Sequence, residues 1–324
     1  MLKIMLTIAM SFMLVLIIAC ANVEEIKELA PDAVGLEGSG KEFNILATTP
    51  MLGEFVKQVA GEDVYVGVLM PYAVDPHTFE PSPKDVAKIN EADLVFHVGL
   101  KYENIALTKL LKNSVKSGHS LIEIGSKINA IEFKNDNHDD EDKHDDHDHG
   151  TLDPHFWFDP NRVALAVGEI KKELINLDPE NRISYELSAN SYVEKLKMLD
   201  QQIDALIQTI PFDNRKIVTT HESLGYLENR YGLEVLVTVI PNITTEDGVT
   251  PKQLVEVIEQ IKEYEIKVIF LEAESPTKSA EIVAKETNVS LVTGLWVETL
   301  KVNQSYIDFL KTNVDLIVGN LKNQ

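Results

Sequence analysis

Residues 179–210 read PENRISYELSANSYVEKLKMLDQQIDALIQTI. The apolar positions Ile183, Leu187, Tyr192, Leu196, Leu199, Ile203 and Leu206 recur mostly at three- to four-residue steps, the period of an amphipathic helix. Asp178-Pro179-Glu180 marks a new helix start inside a longer helical stretch that runs from 162 to 210. A helix over 179–209 would measure about 46 Å at 1.5 Å per residue, enough to span a small domain. The expectation is a rigid strut joining two lobes, with a cleft between them.

On both sides of this stretch, short apolar runs alternate with amphipathic ones. Upstream, strands are predicted over 43–47, 64–69, 94–98 and 120–124, with helices over 51–60, 83–91 and 104–111. Downstream, strands are predicted over 216–219, 233–240, 268–272 and 289–293, with helices over 222–231, 251–264, 276–287 and 306–321. Continuous apolar strands are what a buried parallel sheet requires, and the alternation predicts an α/β fold with a helix-flanked parallel sheet in each lobe.

Composition narrows the function classes. The 324 residues carry 30 Lys+Arg against 52 Asp+Glu, a net charge of −22. That balance opposes nucleic acid, whose phosphates need cationic side chains, and suits cationic partners. With 44% hydrophobic residues the chain can bury a core. One cysteine rules out an intramolecular disulfide framework and Cys-rich metal sites.

That cysteine is Cys20. It ends an opening segment in which Lys3 is the only charge before Glu24, and it follows Ile17-Ile18-Ala19. The segment resembles a bacterial lipobox, which implies a signal peptide over 1–19 and lipidation at Cys20. Acyl chains would hold the protein to a membrane without spanning it. Residues 20–41, with Pro31, Gly35, Gly38 and Gly40, read as a flexible tether. The expected organisation continues with a first lobe over 42–178, the linking helix over 179–210 and a second lobe over 211–324.

The nine histidines point to chemistry. His138, His144, His147 and His149 lie in HDDEDKHDDHDH, inside a loop placed at 135–150; its seven acids and one lysine give a local charge of −6. Such a segment cannot enter a core. It reads as a solubilising loop or as a weak, multidentate collector of divalent cations. His77 and His155 each end an Asp-Pro-His tripeptide in a loop of the first lobe. Proline stiffens each loop, and the aspartate two residues earlier is placed to orient the imidazole. His221 ends a strand of the second lobe, where α/β proteins place ligands. His97 lies inside an apolar strand and reads as a packed residue, while His119 follows a glycine in a turn. Three imidazoles leave one position open on a tetrahedral metal. The acids near strand ends are Glu272, Glu274 and Glu298.

Four features carry a family resemblance: the lipobox at Cys20, Asp75-Pro76-His77-Thr78-Phe79-Glu80, Leu152 to Pro160 reading LDPHFWFDP, and His221 followed by Gly225-Tyr226. The chain resembles the zinc/manganese-binding lipoproteins of metal ABC importers, of the zinc-uptake solute-binding type. The resemblance implies two α/β lobes joined by one long helix, with the metal bound between them by His77, His155 and His221. Its fourth ligand is often an Asp in a loop after the last strand; the similar place here is Glu298. Three histidines suit Zn2+ better than Mn2+. The implied protein is an extracytoplasmic, lipid-anchored monomer that hands Zn2+ to a membrane permease and catalyses no reaction.

Three other readings compete with this one: a manganese receptor of the same type, a zinc hydrolase, and a surface adhesion or metal-storage lipoprotein. The hydrolase lacks support, because position 225 is Gly where H-E-x-x-H needs its second His. The storage reading would make the His-rich loop the functional part.

Overall fold

The computed structural model describes residues 43–62, 64–115, 120–133, 152–240, 245, 249–274 and 278–322. The expected signal peptide, Cys20, the tether, His119 and the collector histidines His138, His144, His147 and His149 lie outside the described residues. Among the described residues no helix is long and apolar enough to cross a membrane.

In the first half the strands are Ile45–Ala47 (β1), Val66–Val68 (β2), Leu94–His97 (β3) and Ser120–Glu123 (β4). They form one parallel sheet in the order β2-β1-β3-β4. Helices Pro50–Ala60 (α1), Pro83–Glu91 (α2) and Ile105–Ser114 (α3) lie between successive strands. Two of them begin with proline, which suits a first helical turn because its missing N–H has no partner there anyway. Thr49 caps α1 by accepting from Leu52 N at 3.2 Å.

The central helical stretch breaks where Asp178-Pro179 predicts. Pro160–Leu177 (α4) stops there, and after a 3-10 turn over Pro179–Asn181 the long helix Arg182–Ile207 (α5) begins. At 26 residues α5 is about 39 Å long, one turn short of the sequence expectation. Its buried face also differs. Tyr185, Ala189, Tyr192, Leu196, Leu199, Ile203 and Ile207 face the core, whereas Ile183 and Leu187 are 60% and 65% exposed. From Tyr192 backwards the core period passes through Ala189 and Tyr185; Ile183 lies two residues, about 200°, away from Tyr185.

In the second half Gly225–Tyr231 (α6), Pro251–Glu263 (α7), Lys278–Thr287 (α8) and Tyr306–Leu321 (α9) accompany the strands. Strands Lys216–His221 (β5) and Glu234–Ile240 (β6) form one parallel pair, and Val268–Glu272 (β7) and Ser290–Leu295 (β8) form another. A single sheet was expected here. Side chains take up backbone groups that a ladder between the pairs would use: Glu272 N–H donates to Thr220 Oγ1 at 3.1 Å, and His221 N–H donates to the Glu272 carboxylate at 3.1 Å. Residues from both halves and from α5 share one buried apolar cluster, which includes Phe55, Trp157, Tyr192, Leu199, Phe270 and Phe309. The fold is α/β, with parallel strands flanked by helices.

Candidate metal centre

Each histidine singled out above is set by its local sequence. Asp75 caps the 3-10 turn Pro76–Thr78, and its Oδ1 accepts from His77 N at 2.9 Å. Asp153 accepts from His155 N at 2.8 Å, just before the 3-10 turn Phe156–Phe158. His221 is the last residue of β5. Glu298 lies beyond β8, in the stretch between that strand and α9.

These four residues converge. One ligand atom from each of His77, His155, His221 and Glu298 lies within 4.8 Å of the others, and all four side chains are buried. Glu298 Oε1 is 3.6 Å from His77 Nε2, 3.3 Å from His155 Nε2 and 2.9 Å from His221 Nε2. None of the three Nε2 atoms, and neither Glu298 oxygen, has a hydrogen-bond partner. The short His221 to Glu298 approach is therefore proximity without hydrogen-bond alignment.

The opposite ring nitrogens are all engaged. His155 Nδ1 lies 2.8 Å from Asp153 Oδ1, His221 Nδ1 lies 2.5 Å from Glu272 Oε2, and His77 Nδ1 lies 3.2 Å from the Tyr102 carbonyl. Carboxylates and carbonyls only accept, so each Nδ1 carries a proton, and in a neutral ring the Nε2 lone pair faces the shared centre. The sequence expectation that aspartate orients the imidazole in both Asp-Pro-His repeats holds for Asp153 alone. Asp75 serves the His77 backbone, and its other oxygen accepts from Thr245 Oγ1 at 2.5 Å. Tyr102 takes the ring instead.

Burying three lone pairs and a carboxylate without partners is costly unless something bonds them all. Without a cation, protons fill part of that role. Burial favours a neutral His155, but Glu298 and Asp153 outweigh it and raise its pKa to about 9. For His221, burial is likewise outweighed, chiefly by Glu272, and its pKa is raised. Burial alone would raise the Glu298 pKa, yet the surrounding histidines hold it well below the ordinary carboxylate range. A divalent cation at the centre would meet three nitrogen donors and one carboxylate, a set that fits Zn2+.

The stretch carrying Glu298 is held through its backbone. Asn313 on α9 bonds Trp296 at both N–H and C=O, at 2.9 and 2.6 Å. Glu274 accepts from the N–H groups of Val297 and Glu298, each at 3.2 Å. Trp157 Nε1 donates to the Val297 carbonyl and the Tyr102 hydroxyl donates to the Glu298 carbonyl, both at 2.8 Å. All six backbone polar groups of residues 296–298 are thereby met by side chains. The sequence reading missed Tyr102 and Asn313, since neither lies in a motif with a spacing to betray it. His97 is a packed residue as expected, 3.7 Å from Glu103.

The family described as ZnuA, zinc-uptake complex component A, periplasmic, matches residues 45–320. The metal ABC transporter substrate-binding lipoprotein FimA of Streptococcus parasanguinis is 29% identical over 292 residues, covering 88% of this chain and 91% of its own. The manganese ABC transporter substrate-binding lipoprotein PsaA of Streptococcus anginosus is 28% identical, with 87% and 90% covered. Among solved structures, a manganese-bound periplasmic metal-binding protein from Candidatus Liberibacter asiaticus aligns with a TM-score of 0.73 at 27% identity, covering 87% of this chain and 100% of that one. The periplasmic zinc-binding protein TroA of Treponema pallidum aligns with a TM-score of 0.77 over 87% of this chain and 99% of its own; at 22% identity it supports the fold.

Proposed function

The chain belongs to the zinc-uptake component A family, the metal-binding receptors of ABC importers, and on that premise we propose that its cargo is Zn2+, held by His77, His155, His221 and Glu298. The family binds and delivers its substrate and is not enzymatic. The observation that carries the zinc reading is the donor set: three buried imidazole nitrogens and one carboxylate oxygen, otherwise unpartnered, within 4.8 Å of one another. Imidazole suits zinc, whereas carboxylate-rich sites suit manganese. Delivery is to a membrane permease. The chain works outside the cytoplasm as a monomer, tethered through lipidated Cys20, and the His138–His149 stretch gathers cations without forming the tight site.

A manganese cargo is the second reading, favoured by the names of several relatives, such as PsaA of S. anginosus. One experiment addresses both. The purified chain is analysed for bound metal, then titrated with Zn2+ and Mn2+ beside His77→Ala, His155→Ala and His221→Ala. One zinc per chain, bound tighter than manganese and weakened in all three variants, is expected. Tighter manganese binding favours the second reading, and unchanged binding by all three variants removes the site. Tight zinc that survives deletion of 138–149 removes storage as the primary function.

A further inference from the structure

Tyr102 touches the proposed site from two sides. Its main-chain carbonyl faces His77 Nδ1 at 3.2 Å, and its hydroxyl donates to the Glu298 carbonyl at 2.8 Å. Its ring meets the rings of His77 and His155 edge-on, with centroids 5.1 and 6.0 Å apart. Tyr102 is fully buried. It therefore ties a ligand of the first half to the backbone of the ligand that follows β8, 196 residues away.

The chain reaches this position through an unusual turn. Gly99, Leu100 and Lys101 are left-handed in succession, with φ of 77°, 53° and 65°. Two of the three are not glycine, and such residues persist in that region only where their surroundings over-determine them. Here they do. Glu103 accepts from Val98 N at 2.7 Å, Gly99 N at 2.8 Å and the Thr48 hydroxyl at 2.7 Å. Glu123 accepts from Leu100 N at 3.2 Å. A Cβ on Gly99 would overlap the Glu123 side chain, so glycine is required there. Strain held this firmly beside a buried cluster points to a functional demand on the neighbouring Tyr102.

We propose that Tyr102 is a positioning residue for the metal: it sets the place of Glu298 relative to His77, and so sets how tightly the cation is held and how fast it leaves. The inference rests on the metal-receptor reading above. Of the four residues whose side chains hold the 296–298 backbone, Tyr102 alone also bonds a proposed ligand ring, through its main-chain carbonyl. Loss of the hydroxyl leaves the His77 contact intact and frees the Glu298 carbonyl. The fourth ligand then loses its fixed distance to the three imidazoles.

The test compares the purified chain with Tyr102→Phe and Tyr185→Phe. Tyr185 is the control: its hydroxyl bonds Asp178 Oδ2 at 2.9 Å, a buried bond made by no proposed ligand. Three quantities are measured: zinc affinity by chelator competition, the visible spectrum of the Co2+-substituted site, and melting of the metal-free chain. Tyr102→Phe is expected to weaken zinc at least tenfold, the lower end for loss of an outer-shell partner, and to shift the Co2+ bands. Tyr185→Phe is expected to lower melting with affinity and spectrum unchanged. Zinc binding by Tyr102→Phe within twofold of the parent, with an unaltered Co2+ spectrum, overturns the proposal and leaves the receptor reading intact. A parent chain that binds neither zinc nor manganese overturns both. If Tyr102→Phe melts close to ambient temperature, affinity and the Co2+ spectrum are read in the cold, where the variant is folded, and the same two outcomes decide.

Discussion

Glu272 Oε2 lies 2.5 Å from His221 Nδ1, and Glu272 Oε1 accepts from the same residue's backbone N–H at 3.1 Å. One carboxylate thus fixes both the ring and the main chain of His221, while Ser223 Oγ donates to it at 3.2 Å. A carboxylate behind a ligand imidazole fixes the tautomer and makes the free nitrogen a stronger donor. Glu272→Gln keeps the shape and removes the charge. Zinc affinity is expected to fall about 10- to 100-fold. Competition titration against a chelator of known affinity checks this, and an unchanged value would show that His221 needs no such partner.

The same electrostatics make the metal-free chain sensitive to alkali. The folded-state pKa of His155, about 9, lies above its ordinary 6.5, because Glu298 and Asp153 outweigh the burial that favours the neutral ring. A raised pKa stabilises the fold fully below pH 6.5, and that stability is lost as pH climbs to 9. The loss is on the order of 3 kcal/mol. Melting of the chelator-treated chain should therefore drop between pH 6.5 and 9, and drop less in Glu298→Gln. A melting point that rises across this window contradicts the assignment.

Any divalent cation held by these imidazoles, the proposed zinc included, must displace those protons, so its affinity should rise with pH over the same window. From the sequence alone the rise would end near 6.5, the ordinary histidine value. The buried carboxylates extend it towards 9. Titration in weakly buffered solution should show protons released on zinc binding at pH 7.5, and zinc uptake without proton release there would argue against this charge state.

Gly225 offers a test that touches no ligand. A Cβ at this position would lie 2.6 Å from Asp153 Oδ2, on the carboxylate that holds His155. Gly225→Ala should displace Asp153 and weaken zinc about tenfold, in the manner of an outer-shell change. Gly168→Ala, where a Cβ meets nothing within 4 Å, should leave affinity unchanged.

The buried face of α5 can be checked by stability. Leu196→Ala removes a side chain that is 1% exposed and should cost about 2–5 kcal/mol. Ile183→Ser and Leu187→Ser alter exposed positions and should stay within about 0.5 kcal/mol. Urea unfolding of the three variants decides between this face and the one expected from apolar spacing.

Most of the element plan was legible in the sequence because each signal is local. Helices α2 and α9 and strand β7 have the expected boundaries, since proline, caps and apolar runs act within a few residues. Which face of the first turns of α5 is buried is not legible, for the opposite reason. Ile183 and Leu187 fit a helical period, but which face of a helix is buried depends on what packs against it.

The sequence singles out His77, His155 and His221 through Asp-Pro-His turns and a strand end, which are short-range features, and the family resemblance adds Glu298 as a candidate. Four candidate donors, and a parallel α/β plan to carry them, are legible from local signals and the resemblance. Packing settles what local signals leave open: that all four meet within 4.8 Å in a buried space, that Asp153 serves an imidazole while Asp75 bonds Thr245, and that Tyr102 bridges His77 to Glu298. Distance along the chain separates the two kinds of feature. Hydrogen bonds between residues such as Tyr102 and Glu298, 196 positions apart, leave no periodicity or spacing in the sequence, because they arise only when the core brings remote backbone groups together and burial requires that each find a partner.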